Sequence, residues 1–288
     1  MKNRNAVLLI GFGGPASMAE VRPFLESVLE GVKIPQTRFD EVMRHYEVFN
    51  GISPYNEITR RQKRALEDWF GFKGAGVPVY VGFRHASPTF KEAWEAIKKD
   101  GMQKVIGFVL SPFRCFASFE KYVKKVDEGR DAAAAGSIVM EYTDNFFNHP
   151  LFLEAQADEI RSILGHFQKK EQERTFFLFS AHSVPVPMSD ESGYTDQFFK
   201  ASSLIAKRLG LVDWGCSYQS RSLPLPAGQA GAGRQVAIPW LVPDVKEAIQ
   251  KIDVKKFKNV MLIPVGFLCD NIEVLYDLDV EAKETAEA

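Results

Sequence analysis

Short apolar runs, each closed by glycine, proline or a polar turn, alternate along this chain with longer stretches whose apolar residues recur every three to four positions. Runs of the first kind predict buried strands, and stretches of the second predict amphipathic helices. Strands are expected at residues 6–12, 77–83, 104–110, 137–141, 175–179, 214–219 and 260–267, and helices at 19–29, 89–99, 151–167, 196–209 and 242–252. Alternation of this kind implies parallel sheets with helices on both faces, an α/β fold. One block recurs. Glu95-Ala96-Ile97-Lys98-Lys99 followed by Lys104-Val105-Ile106-Gly107-Phe108 resembles Glu247-Ala248-Ile249-Gln250-Lys251 followed by Asn259-Val260-Met261-Leu262-Ile263. The recurrence supports two related lobes, 1–149 and 150–288, with the seam at His149-Pro150.

Composition narrows the field by exclusion. A chain of 288 residues with 45% hydrophobic content can bury a large core. Its 36 Lys and Arg against 37 Asp and Glu leave no excess of charge, so no nucleic-acid partner is expected. No run of eighteen apolar residues occurs, and the opening MKNRNAVLLIGFGGP reads as a charged cap on a strand rather than a signal peptide. Cys115, Cys216 and Cys269 lack the spacing of a zinc or redox pair and are expected as reduced thiols in a cytosolic protein. Residues 223–238, rich in Gly, Ala and Pro, read as a surface loop.

Chemistry gathers at strand ends, where open α/β sheets hold their ligands. The run 175–179 leads into Ser180-Ala181-His182-Ser183, and 260–267 leads into Cys269-Asp270-Asn271-Ile272-Glu273. A neutral imidazole can take a proton or bind a metal, or simply close a turn by hydrogen bonding. Glu273, Asp277 and Glu281 fall at i, i+4 and i+8, a carboxylate stripe on one helix face, with Asp270 as its natural N-cap. Such a stripe faces bulk water or a cation, and it can carry protons or a hydrated divalent ion. The loop Gly11-Phe12-Gly13-Gly14-Pro15 lacks the spacing of a dinucleotide fingerprint; its glycines let backbone approach a flat ligand. Arg84, His85 and Arg114 follow strands, where a guanidinium can hold a carboxylate.

The segments LLIGFGGP, FNGISP, YVGFRHASP, FSAHSVP, YQSRS, WLVPDV and IPVGFLCDNIEVLYDLDVEAKE, in this order, resemble the ferrochelatase family over nearly the whole chain. FSAHSVP and the EVLYDLD block carry most of that specificity. The resemblance implies two similar Rossmann-like lobes around a porphyrin cleft, and insertion of Fe²⁺ into a porphyrin to make haem with release of two protons. It implies His182 and Glu273 as the catalytic and metal pair, Asp277 and Glu281 as an acidic path for protons or metal, and Phe12, Ser53, Arg84, His85 and Tyr122 in the porphyrin pocket. Iron enters as a substrate, so no tightly bound cofactor is expected. Neither is an iron–sulfur cluster, because the C-terminal cysteine group that some members use is missing.

The chain departs from the family at Asn271, where many members carry histidine, and in the longer loop 223–238. It also stops where members continue with a further strand and helix, so a shortened second lobe is expected. Two other readings stay open at this stage: a cobalt or nickel chelatase of the same fold, and a non-catalytic porphyrin or haem carrier. The apolar residues Phe12, Ile52, Phe113 and Phe116 favour protoporphyrin IX over coproporphyrin III. A cytoplasmic enzyme touching a membrane loosely to pass on an apolar product is the expected setting; oligomeric state is not legible.

Overall fold

Alternate side chains of a strand point to opposite faces, so a run buried throughout needs a helical layer on each side. The chain meets that need twice. The structure, a computed structural model, describes residues 4–30, 34–221 and 238–288. Its contacts divide it into two compact units: Met1–Ser111 with Ala117–Asp144 and Leu268–Glu273, and Pro112–Phe116 with Asn145–Phe267 and Val274–Ala288. The chain thus passes between units at several points rather than once at residue 149.

The first unit contains β1 (Asn5–Gly11), α1 (Met18–Leu29), α2 (Gln36–Val48), α3 (Tyr55–Phe72), β2 (Val79–Phe83), α4 (Phe90–Lys99), β3 (Lys104–Val109), α5 (Lys121–Ala132) and β4 (Val139–Tyr142). The strands pair in parallel in the order β2-β1-β3-β4, with Leu8 opposite Tyr80 on one side and Gly107 on the other. Ala6, Leu8 and Ile10 face α4 and α5, where Phe90, Trp94, Ile97 and Val126 complete one core. Leu9 faces the other way, toward Tyr55, Ile58 and Phe70 of α3. Thr89 starts α4 with a reciprocal cap: its hydroxyl accepts from Glu92 N–H and the Glu92 carboxylate accepts from Thr89 N–H.

The second unit contains α6 (Pro150–Leu164), α7 (Lys169–Gln172), β5 (Thr175–His182), α8 (Val186–Ser192), α9 (Tyr194–Leu209), β6 (Trp214–Gln219), α10 (Val245–Ile249) and β7 (Asn259–Ile263). Its strands, also parallel, run β6-β5-β7. The recurring sequence block therefore ends on β3 beside β1 and on β7 beside β5. Leu178 of β5 packs with Val245 and Ile249 and with Val274, Leu278 and Ala282 of the last helical segment.

Several boundaries differ from the sequence reading, for local reasons. The strand expected at 260–267 ends at Ile263, since Pro264 has no N–H to continue a ladder. The helix expected at 242–252 shortens to Val245–Ile249 behind the cap Asp244. After Ile272–Val274 the chain does not continue as an α-helix: Leu275–Ala282 winds as a π-helix before Lys283–Glu287 returns to α. Because the helical segment begins at Ile272, Asn271 rather than Asp270 directly precedes it. Residues 223–237 of the expected surface loop lie outside the described residues.

Candidate active site

In the first unit the loop after β1 is held by its backbone. Gly14 N–H donates to Asn56 Oδ1 at 3.0 Å, and Asn56 Nδ2 donates to Gly14 O at 2.7 Å. Gly13 sits at φ +85°, with Ala86 Cβ 2.7 Å from where a side chain would begin, so only glycine fits without strain. Ser53 is buried and stands 2.6 Å from the place of a Cβ on Gly14, which makes it a wall of this loop. Phe12 N–H donates to Tyr55 Oη at 3.1 Å, leaving the Phe12 ring against His85 at 4.7 Å and Phe24 at 6.0 Å. Phe24 in turn meets Tyr46 at 6.0 Å.

His85 Nδ1 shares a 2.8 Å hydrogen bond with Ser27 Oγ. Burial, aided by the neighbouring Arg84 charge, pushes its pKa down to about 4, so the imidazole is neutral at ordinary pH. Arg84 is not an open carboxylate clamp. Its guanidinium, only 6% exposed, donates to Glu30 Oε1 at 2.6 Å and lies 5.7 Å over the Tyr122 ring. Lys121 Nζ approaches the other Glu30 oxygen at 3.6 Å. The Arg84 hydrogen bond is the main cause that holds the Glu30 carboxyl below its ordinary range. Glu273 belongs to this unit and is exposed, next to Ile272, which is buried against Phe24 and Tyr46. Burial, and to a lesser degree the Glu273 charge, raises the Tyr46 phenol far above its ordinary value, so it stays protonated. Phe24 and Tyr46 were not singled out from sequence. They sit on amphipathic helices among ordinary core residues, and no motif marks them.

In the second unit β5 delivers His182 to its carboxyl end, half-buried. His182 Nδ1 is paired with the Ser183 carbonyl oxygen. A carbonyl can only accept, so Nδ1 carries a hydrogen, and in the neutral form of the ring the lone pair lies on Nε2. The turn is fixed on all sides. Ser183 N–H donates to Gln219 O at 2.8 Å and Ser183 Oγ to Leu241 O at 3.0 Å. Tyr194 Oη donates to His182 O at 3.1 Å, and Ser180 Oγ to Gln219 Oε1 at 2.7 Å. Both serines flanking the histidine therefore act as struts. On the π-helix, Asp277 accepts from Ser220 Oγ and Glu281 pairs with Lys246 Nζ at 2.7 Å.

Phe113, expected beside the ligand, is instead buried in the second unit against Tyr194 and Phe198. Burial pushes the thiols of Cys216 and Cys269 up to about 11, which disfavours the thiolate a metal would need. Among the described residues no three His, Cys, Asp or Glu side chains gather into a set that could hold a metal ion.

Each unit thus carries its own candidate residues at the carboxyl ends of a parallel sheet: His182 after β5 in the second, and the Phe12, Arg84 and His85 group after β1 and β2 in the first. The profile of the ferrochelatase family matches residues 4–288, and the chain belongs to that family, enzymes of haem synthesis that insert a metal into a porphyrin. It is 37% identical over 281 residues to a ferrochelatase of Rhodopirellula baltica, covering 97% of this chain and 77% of the relative. A coproporphyrin III ferrochelatase of Mycobacterium sp. (strain KMS) is 33% identical, covering 98% of this chain and 79% of the relative. A ferrochelatase of Deinococcus radiodurans is 32% identical, covering 97% and 85%. A solved sirohydrochlorin chelatase from Bacillus subtilis overlaps 98% of the chain at 13% identity and a TM-score of 0.46, too slight a likeness to bear on function.

Proposed function

We propose that this chain inserts Fe²⁺ into protoporphyrin IX, with His182 as the acceptor of the pyrrole protons and Glu273 as the carboxylate that receives the metal or the second proton. The reaction balances as porphyrin with two N–H groups plus Fe²⁺ giving iron porphyrin plus two H⁺. The observation that carries this reading is the His182 contact at the end of β5: the Ser183 carbonyl accepts from Nδ1–H, which assigns the lone pair of the neutral ring to Nε2. A general base held in one tautomer needs no rearrangement when a proton arrives. Asp277 and Glu281 follow on the helical segment as the acidic path for protons or metal.

The first-unit residues supply a surface for a flat apolar ring. Half-buried Phe12 and neutral His85 present ring edges and faces, backed by buried Phe24, with Tyr122 under Arg84. Because the Arg84 charge is matched by Glu30, a porphyrin with fewer peripheral carboxylates is the better fit. Holding such a ring by its periphery can bend it, turning nitrogen lone pairs toward the metal. Iron is handled as a substrate, and the reading calls for no tightly bound cofactor and no iron–sulfur cluster. No helix among the described residues is long and apolar enough to cross a membrane. We place the enzyme in the cytoplasm, touching a membrane loosely to hand over an apolar product.

The test is anaerobic Fe²⁺ insertion followed by porphyrin absorbance, with protoporphyrin IX and coproporphyrin III compared at equal concentration. A higher kcat/KM for protoporphyrin IX is expected. Preference for coproporphyrin III would overturn the substrate assignment, and porphyrin binding without insertion would overturn the activity.

A further inference from the structure

Asp277 and Glu281 are like charges four residues apart, a spacing that repels on a helix. The next basic residue of the same segment, Lys283, pairs with Glu287 at 4.0 Å. Compensation comes from another element. Asp244 caps α10 by accepting Lys246 N–H at 3.0 Å, while Val245 and Ile249 bury against Leu278 and Ala282. This packing lays Lys246 along the π-helix, and its Nζ reaches Glu281 Oε2 at 2.7 Å. Burial alone would lower the lysine pKa, but the Glu281 hydrogen bond and the charges of Glu281, Asp244 and Asp277 reverse that and raise it. The acidic line thus already seats a cation, one supplied by the chain itself.

We propose that Lys246 is a tethered competitor for divalent metal at the outer carboxylate of this line, and that it sets the metal concentration at which Fe²⁺ enters. The proposal rests on the reading of Asp277 and Glu281 as a metal path. The pair can open because its side chains are 43% and 35% exposed, and ion pairs that open to water are held weakly. An ammonium offers one charge on a flexible four-carbon stem, whereas a hydrated divalent ion brings two charges and prefers several oxygen ligands. The arriving metal displaces the lysine, which swings away and returns once Glu281 is vacated. Ions too weakly attracted to displace it are turned away at this point.

The experiment is Zn²⁺ insertion into protoporphyrin IX over a range of Zn²⁺, for the parent, Lys246→Met, Lys246→Arg and Glu281→Gln. Lys246→Met is expected to lower the KM for Zn²⁺ by roughly three- to fivefold, the scale of an exposed ion pair, with a smaller change in kcat. Lys246→Arg is expected to restore the parent KM. An unchanged or raised metal KM in Lys246→Met, while Glu281→Gln raises it, would sink the lysine proposal and leave the metal path standing. If Glu281→Gln also leaves the metal KM unchanged, the reading of the acidic line fails as well. A purely structural ion pair would lower the unfolding temperature of Lys246→Met without moving the metal KM, and that result too would overturn the proposal.

Discussion

The ends of β1 and β5 are both carboxyl ends of central parallel strands, yet they are built in opposite ways. Beyond β1 the side chains are rings and matched charges: Phe12 against His85 and Phe24, and Arg84 on Glu30. Beyond β5 stands one imidazole with a fixed tautomer, its backbone secured by Tyr194, Gln219 and Leu241. At the first end burial keeps His85 neutral down to about pH 4, and the proposed role of these rings is to hold the porphyrin. At the second, His182 is the proposed proton acceptor, and the rings of Tyr194, Phe113 and Phe198 pack with one another. If ring holding and proton transfer are divided as proposed, substitutions should separate them.

The largest effect is expected from Glu273→Ala. If Glu273 receives the metal or a proton as proposed, its removal costs on the order of 100-fold or more in rate, while porphyrin affinity measured by fluorescence quenching should stay within a few-fold. Loss of affinity in parallel with rate would merge the two roles that the comparison keeps apart. Next comes Gly13→Ala, where the positive φ and a 2.7 Å approach to Ala86 Cβ predict a loss of about 1–3 kcal/mol in denaturant unfolding. A neutral result would mean that the β1 loop is free to shift.

A change in specificity follows from Glu30→Gln. With its carboxylate partner removed, the guanidinium of Arg84 can turn to a ligand carboxylate, and coproporphyrin III should gain roughly fivefold in affinity relative to protoporphyrin IX. Tyr194→Phe deletes the hydrogen bond to His182 O and is expected to cost about 1 kcal/mol of stability, with kcat falling more than porphyrin affinity. The smallest effect is one of pH. His85 takes up its proton near 4 when folded and near 6.5 when unfolded. The unfolded chain therefore binds more protons in that window, and stability is lost as pH falls through it. His85→Asn should show a shallower loss than the parent between those limits.

Much of the frame was legible because a strand buried on both faces leaves a bare apolar run in the sequence. Thr175 to Phe179 and the glycine-closed run through Gly11 are of that kind, and each led to a candidate residue. His182 and Glu273 stand out in sequence because each follows a bare apolar run within a few residues. What packs near a residue from afar is not legible there. Nothing around Arg84 in sequence shows that Glu30, fifty-four residues earlier, matches its charge. Nor does sequence show that Ser53 walls Gly14, since closeness across 39 positions leaves no local trace. The π-winding of Leu275–Ala282 has no apolar period to announce it, because the same residues fit an α-helical stripe. Tyr46 is one of two buried residues on α2, and nothing in sequence shows that it shares a cluster with Ile272.

The most direct test of the central claim is single-turnover metal insertion by His182→Ala beside the parent, with porphyrin prebound and its affinity measured in the same samples. Retained porphyrin binding with insertion slowed about 100-fold or more is the predicted result. Insertion at the parent rate by His182→Ala would contradict the account and remove this imidazole from the chemistry.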